Sequence, residues 1–312
     1  TTQQMEILKS KNLLDAGALA FYRYIEGIVQ TIGHSHRKND AAFENLIPKE
    51  MMNYHAETQL DEVPSYRYCT EGVIQACEQN PSCLESVRTI VNAHGDSQVV
   101  SDAGQMIKFH VHTDTPWEVF EQVSTLGKLV SQKTDDMLRQ YNLEHSAGGP
   151  LAILADSGSD LPQELIDSLG IDVVPLNIVI GGHSYLDRIE LSTKQFFALD
   201  GKKSTAQPSV GVVKLRLEAL LQKFEKILII SLASALSGTY QSYQQAITLL
   251  HAEDRVLLVD SKQNSVALGL LVLNAARAMA AGEPVDKVKA EAEEQADKAH
   301  IYVALDKLET MV

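Results

Sequence analysis

Cysteine is scarce and odd in number, three in 312 residues. With no signal-peptide pattern at the start, that count fits a reducing compartment, so the sequence reads as cytoplasmic and its cysteines as thiols or metal ligands. No apolar run reaches the roughly 18 residues that a transmembrane helix needs. The nearest, Ser265 to Ala281, is broken at helical spacing by Asn274 and Arg277. Positive charge is also short: 27 Lys and Arg stand against 41 Asp and Glu, the formal net charge is -14, and no basic patch exceeds Arg37-Lys38. Such a surface repels phosphate backbones and anionic headgroups, which argues against nucleic-acid binding and membrane adhesion. Neither G-x-G-x-x-G nor a Walker A motif occurs, so nucleotide sites of those types are not expected. Tandem repeats and low-complexity tracts are absent as well. What is there is globular in composition, 45% hydrophobic and 22% charged, which excludes disorder throughout. At about 150 residues per domain the length suggests two domains or three small ones.

Residues 1 to 32 read as helical, with an apolar face through Leu14, Ala18, Phe21, Ile25 and Ile28 and a cap at Asp15. From His34 to about Val63 the chain is polar and aperiodic, as suits a connector. An α+β unit follows. Its expected helices are Glu71 to Gln79, Cys83 to Asn92 and Trp117 to Leu129, with strands at Ser97 to Val100 and Met106 to His112 around the turn Asp102-Ala103-Gly104. His145-Ser146-Ala147-Gly148-Gly149-Pro150 breaks both periodicities and marks a domain boundary. Beyond it, continuous apolar strands (Leu151 to Ala155, Val173 to Ile180, Ile227 to Leu232, Val256 to Val259) alternate with helices (Gly211 to Phe224, Tyr240 to Leu250, Ser265 to Ala281). That pattern predicts a mostly parallel α/β sheet covered on both faces. The sequence opens on Thr1 and closes inside an amphipathic pattern, Leu305 to Val312, and so reads as a fragment.

The polar residues of the α/β part cluster where parallel strands end, which is where open sheets place ligands. Asp156-Ser157-Gly158-Ser159-Asp160-Leu161, Ser234 to Tyr240 and Asp260 to Ser265 are three such strand ends. Ser237-Gly238-Thr239 also opens a helix, whose free amides and dipole favour a carboxylate or phosphate. The competing reading is that these residues merely cap helices and make turns. A serine nucleophile lacks support, since Ala235-Leu236-Ser237-Gly238-Thr239 misses the first glycine of a G-x-S-x-G elbow. In the α+β unit, His110 and His112 share one strand face, and Cys69 supplies a thiolate if its segment folds alongside; three N/S ligands with an open fourth position suit zinc. Alternatively the H-x-H pair lines a solvated face and Cys69 is a small buried hydrophobe. Cys77 and Cys83 read as structural thiols.

Two resemblances sharpen these options. Asp156-Ser157-Gly158-Ser159-Asp160-Leu161, Val174-Pro175-Leu176, Tyr185-Leu186-Asp187, Thr205-Ala206-Gln207-Pro208-Ser209, Leu236 to Ser242 and Asp260-Ser261-Lys262 follow in the order seen in the DegV family of bacterial fatty-acid-binding proteins, over about residues 151 to 312. The resemblance implies two lobes holding one long-chain fatty acid, of which this chain contains the N-terminal one. It implies that Thr205 and Ser237 hold the carboxylate, with Gly238, Thr239, Asp156 and Ser157 around them. Ala206 departs from the family's usual Ser, and Gly158 from its usual Thr. Residues 66 to 141, with Tyr68-Cys69-Thr70-Glu71, Gly95-Asp96-Ser97, His110-Val111-His112-Thr113 and Pro116, resemble the middle domain of the bacterial fatty acid kinase, in which Cys69, His110 and His112 would bind zinc. Gln132 to Met137 departs from that kinase's more regular strand. Residues 14 to 27 resemble the last helix of its dihydroxyacetone-kinase-like nucleotide-binding domain.

The expected organisation is therefore a helical remnant over 1–45, an α+β middle domain over 46–145 and an incomplete DegV-type α/β domain over 151–312. The implied function is fatty-acid binding, with the acyl carboxylate presented to an associated ATP-dependent kinase module. That module's acidic loop is absent from this sequence, so ATP and Mg are expected only for the missing domain and no catalytic residue is assigned. Two other readings stand beside it: a non-catalytic lipid-binding module, and a zinc-dependent hydrolase, for which only Glu71 offers a base near a ligand. The chain's partners would be the kinase nucleotide-binding domain and, in a homodimer, a second copy.

Overall fold

The computed structural model describes residues 62–76, 83–103 and 106–302. The helix expected over 1–32, the connector, Cys77 and the stretch from Leu305 to Val312 lie outside them.

The first half is a four-stranded antiparallel sheet, order β2-β3-β1-β4. Its strands are β1 (Tyr68–Ala76), β2 (Asp96–Ala103), β3 (Met106–Thr113) and β4 (Gly127–Asp136). Two helices, α1 (Cys83–His94) and α2 (Pro116–Ser124), cover one face. Along β3, Ile107, Phe109, Val111 and Thr113 are buried in alternation, the two-residue period of a strand with one wet face. They pack with Ile74, Val87, Val91, Val119 and Phe120 into one core.

Two expectations fail here. Glu71 to Ala76, the described part of the helix expected over Glu71 to Gln79, is not helical but forms most of β1, the central strand, paired with β3 from Tyr68 to Gln75 and with β4 on its other side. Pairing on both flanks outweighs the weak helical spacing of so short a segment. Gly72 makes that position possible, because a Cβ there would lie 2.4 Å from the Phe109 ring. The helix expected to reach Leu129 stops at Ser124, and Gly127 already belongs to β4.

The second half contains the parallel sheet, order β11-β10-β5-β6, with β5 (Gly149–Asp156), β6 (Asp172–Val174), β10 (Phe224–Ser231) and β11 (Val256–Asp260). Both faces are covered. Ile153, Ala155, Leu228 and Ile230 pack under α8 (Ser265–Ala280) and α9 (Val285–Lys298), while Ala152, Leu154, Ile227 and Ile229 pack under α6 (Val210–Leu221) and α7 (Thr239–Leu250). Continuous burial of β5 from Leu151 onward is the signature of such a doubly covered strand. The strand expected over Val173 to Ile180 divides at Pro175. Its first part is β6; its second, β7 (Asn177–Ile180), joins β8 (His183–Leu186) and β9 (Lys203–Ala206) in a small antiparallel sheet, order β8-β7-β9. Proline has no N–H to give a ladder, and the pairing of the edge strand β6 with β5 ends at Val174, just before it. Between β8 and β9 runs α5 (Thr193–Ala198), which Ser192 and Gln195 start with a reciprocal capping box.

Helix α3 (Met137–His145) joins the halves, and ion pairs tie them together. Arg67, preceding β1, bonds Asp136 on β4 at 2.8 Å and Asp167 of α4 (Gln163–Leu169) at 2.8 Å. Arg139 on α3 donates to the Val173 carbonyl at 2.6 Å. Behind it, Arg216 Nε donates to buried Asp172 at 2.7 Å; burial opposes that charge, yet Arg216 and Arg139 hold the carboxyl below its usual range. Among the described residues no helix is long and apolar enough to cross a membrane.

Candidate functional site

The carboxyl-terminal ends of the parallel strands carry the first group of expected residues, and they divide in two. Asp156 and Ser157 are turned inward. Asp156 is fully buried, its Oδ2 accepting from Leu232 N at 2.8 Å and its Oδ1 from Gly158 N at 3.1 Å. It thereby clamps the end of β5 to the end of β10. Burial pushes its pKa up to about 6 even though the two amides pull the other way. Ser157 Oγ accepts from Leu176 N at 3.0 Å and is bonded to the Asp187 side chain. Both residues hold loops in place; neither presents a free polar atom at the surface.

Thr205, Ser237 and Gly238 lie on an outer rim, with the fully buried Thr239 behind them. Thr205 is exposed on β9, opposite Ile178 of β7. Ser237 is half-buried, its Oγ 2.8 Å from Thr239 Oγ1 and accepting from Thr239 N at 3.2 Å. Gly238 is the N-cap of the 12-residue α7 and brings no side chain to the cap. A Cβ on Gly238 would fall 1.6 Å from Gln207 Oε1, so glycine is what lets the 205–209 segment lie against the first turn of α7. Asn177 on β7 steadies that segment by donating to the Gln207 carbonyl at 3.4 Å. A hydroxyl, the open amides of a helix start and a second loop thus share one edge, which suits an acidic head group. Gln207 is legible in the sequence only as part of a motif; its contact with Gly238 comes from the fold.

The other expected group lies on the open face of the antiparallel sheet. Register places Cys69 opposite His112 and Glu71 opposite His110, and residues two apart along a strand share a face. Ligand-capable atoms of Cys69, His110 and His112 lie within 4.8 Å of one another. Cys69 Sγ is 3.8 Å from His110 Nδ1, close to the edge of a tetrahedron with Zn–S and Zn–N bonds of about 2.3 and 2.1 Å. The residues present therefore fit a zinc ion. Two carboxylates flank the imidazoles: Glu71 Oε1 at 3.2 Å from His110 Nδ1, and Asp96 Oδ1 at 3.5 Å from His112 Nδ1. Burial, followed by the charges of Asp135 and Glu71, pushes the Cys69 thiol up to about 11. Burial and then His110 lower the pKa of His112, favouring its neutral, ligating form. A cation among these groups would offset the carboxylate charge and permit the thiolate. Sequence offers Glu71 as a carboxylate near a ligand but gives Asp96 no role at the site; its place beside His112 comes from the fold. Of the remaining cysteines, Cys83 is buried in the core, as a structural thiol would be.

Residues 150–312, just over half of the sequence, match the DegV family of uncharacterised proteins. The chain belongs to the DegV family. Residues 65–144 match the FakA-like middle domain of fatty acid kinase. Among curated relatives, a DegV domain-containing protein of Caldanaerobacter subterraneus is 37% identical over 141 residues, 44% of this chain and 50% of that one. Another, of Clostridium perfringens, is 31% identical over 166 residues, 52% of this chain and 59% of its own length. The chain thus spans between half and three fifths of these relatives. A structure described as showing fatty acid binding by a DegV family protein of Thermus thermophilus is 30% identical, with a TM-score of 0.44 over 47% of this chain and 54% of that one. DegV of Bacillus subtilis, described as a fatty acid binding protein, is 26% identical, with a TM-score of 0.44 over 49% and 55%.

Proposed function

We propose that the DegV-family part of this chain binds a long-chain fatty acid by its carboxylate, and that the chain presents that carboxylate to an ATP-dependent kinase domain. The observation that carries the reading is the shared rim: Thr205 on β9 and Ser237 before α7 belong to loops held in contact through Gln207 and Gly238. Hydroxyls and first-turn amides there supply hydrogen bonds that a carboxylate accepts, strengthened by its charge. The fatty acid kinase-like match over 65–144 supports the second half of the proposal. Joining carrier and kinase modules in one chain raises the effective concentration of acceptor at enzyme. Phosphoryl transfer would then depend on positioning and on ATP with Mg²⁺ supplied by the kinase domain. In this reading Cys69, His110 and His112 hold a zinc ion that ties β1 to β3 and contributes to folding.

The test is equilibrium dialysis of the chain with radiolabelled palmitate. Thr205→Ala and Ser237→Ala each remove one hydrogen bond to a charged group, worth about 1.5–3 kcal/mol, so each should weaken binding about tenfold or more with no change in thermal midpoint. Wild-type affinity in the double variant would refute the assignment.

A further inference from the structure

His112 has two neighbours across the antiparallel sheet, Cys69 on β1 and Asp96 on β2. A thiol that can hold zinc therefore lies on one side of the imidazole and a carboxylate on the other, with Asp96 Oδ1 3.5 Å from Nδ1. Glu71, by contrast, stands on the same strand as Cys69, opposite His110. In a regular ladder Asp96 would not reach this place. The pairing of Val99 with His110 would carry Ser97 to His112, but two residues of β2, Ser97 and Gln98, stand against the single Val111 of β3. That bulge sets Asp96 opposite His112 instead, and re-aiming one side chain is what an extra residue in a strand does. Ser97 adopts a left-handed φ of 53° within it, a conformation uncommon outside glycine. Gln98 closes it by donating to the Gly95 carbonyl. Gly95 lets the chains approach, since a Cβ there would fall 1.7 Å from the His112 carbonyl oxygen. Three departures from regular strand geometry thus converge on one contact. An imidazole that holds a metal through one ring nitrogen commonly donates the N–H of the other to an oxygen, which fixes its tautomer and its orientation. We propose that Asp96 is the positioning residue of the metal site: its carboxylate accepts the Nδ1–H of His112 and leaves Nε2 to the zinc. This inference rests on the zinc reading of Cys69, His110 and His112.

Competition with a chromogenic chelator measures the zinc affinity of the whole chain. Asp96→Ala should bind zinc about 10–100-fold more weakly than wild type. Asp96→Asn, which keeps an accepting oxygen but not its charge, should lie between the two. Because the Asp96 side chain is half exposed, the thermal midpoint of the zinc-free protein should stay within about two degrees in both variants. Long-range proton–nitrogen NMR correlation of the zinc-loaded wild type reads the ring directly, and should place the His112 proton on Nδ1. Asp135→Asn controls for charge alone: Asp135 faces Cys69 from β4 and is paired with Lys133, so its loss should weaken zinc binding less than Asp96→Asn does. Wild-type zinc affinity in Asp96→Ala, a His112 proton on Nε2, or an equal loss in Asp135→Asn would each overturn the role of Asp96 while leaving the zinc site standing. A wild-type chain that takes up no zinc would overturn the zinc reading itself, and this inference with it.

Discussion

Asp156→Asn tests the clamp on which the strand ends depend. The folded protein holds this carboxyl at about 6, against an ordinary value of 3.8. One unit corresponds to 1.36 kcal/mol, so ionising the buried group costs about 3 kcal/mol relative to the unfolded chain. The sign follows from the raised value. The group's contribution is fully present below pH about 4, where both states are protonated, and is lost as pH rises through about 6. Asparagine is neutral at every pH, but its amide nitrogen cannot accept, so either Leu232 N or Gly158 N loses its partner. An unpaired buried amide costs about 1–3 kcal/mol. At pH 5 the folded side chain is largely the neutral acid but the unfolded one is ionised, so about half of the ionisation cost is already felt and Asp156→Asn should lie within about 1.5 kcal/mol of the wild type. At pH 8 the wild type carries the full cost of about 3 kcal/mol, so the variant should gain about 1.5 kcal/mol relative to the wild type between pH 5 and pH 8. Guanidinium denaturation of both at the two pH values measures this, and comparing variant with parent cancels every other titrating group. A difference that is the same at pH 5 and pH 8 would refute the reasoning.

Gly238→Ala should place a methyl where Gln207 Oε1 now sits, 1.6 Å away; because that amide is the end of a flexible side chain, stability should fall by less than about 1 kcal/mol while palmitate binding weakens about tenfold. Gly238→Ala/Gln207→Ala should restore affinity, as dialysis would show. Gly95→Ala meets backbone instead: its Cβ would lie 1.7 Å from the His112 carbonyl oxygen, so strand β2 must shift, at a cost of about 1–3 kcal/mol or more. Urea unfolding should show that loss, together with weaker metal retention because His112 moves. His110→Ala/His112→Ala should abolish zinc, measured by elemental analysis of the purified chain, and lower the thermal midpoint; wild-type protein without zinc after metal-replete expression would overturn the metal assignment.

The doubly covered strands β5, β10 and β11 were legible because residues buried on both faces leave an unbroken apolar run. The helices after them carry a 3.6-residue period long enough to recognise. Strand β1 was not legible, since Glu71 to Gln79 is short, its inward positions are Thr70, Gly72 and Ile74, and no local apolar pattern outvotes helical spacing. Its identity depends on β3 and β4, whose contacts lie about 30 to 70 residues away in sequence. Likewise, Val173 to Ile180 read as one apolar strand in spite of Pro175, and that β7 leaves the parallel sheet to pair with β8 and β9 depends on those later strands. The motif residues at Thr205 and Ser237 were legible as types; that Gln207 closes on Gly238 to join their loops was not.

Sequence alone determined what depends on local order: the residue types that cap, turn, ligate or bury, and the alternation of apolar runs with helices in the second half. It thereby named Cys69, His110 and His112 as ligand types and the strand ends as ligand territory. Only tertiary structure decided which groups meet. Register set Glu71 beside His110 and Asp96 near His112, and packing of the two halves set Arg67 against Asp167, 100 residues on. Burial then turned Asp156 from a candidate ligand into a clamp. Hydrogen bonding and desolvation act between neighbours in space, and a linear pattern carries those neighbours only where the chain itself keeps them close.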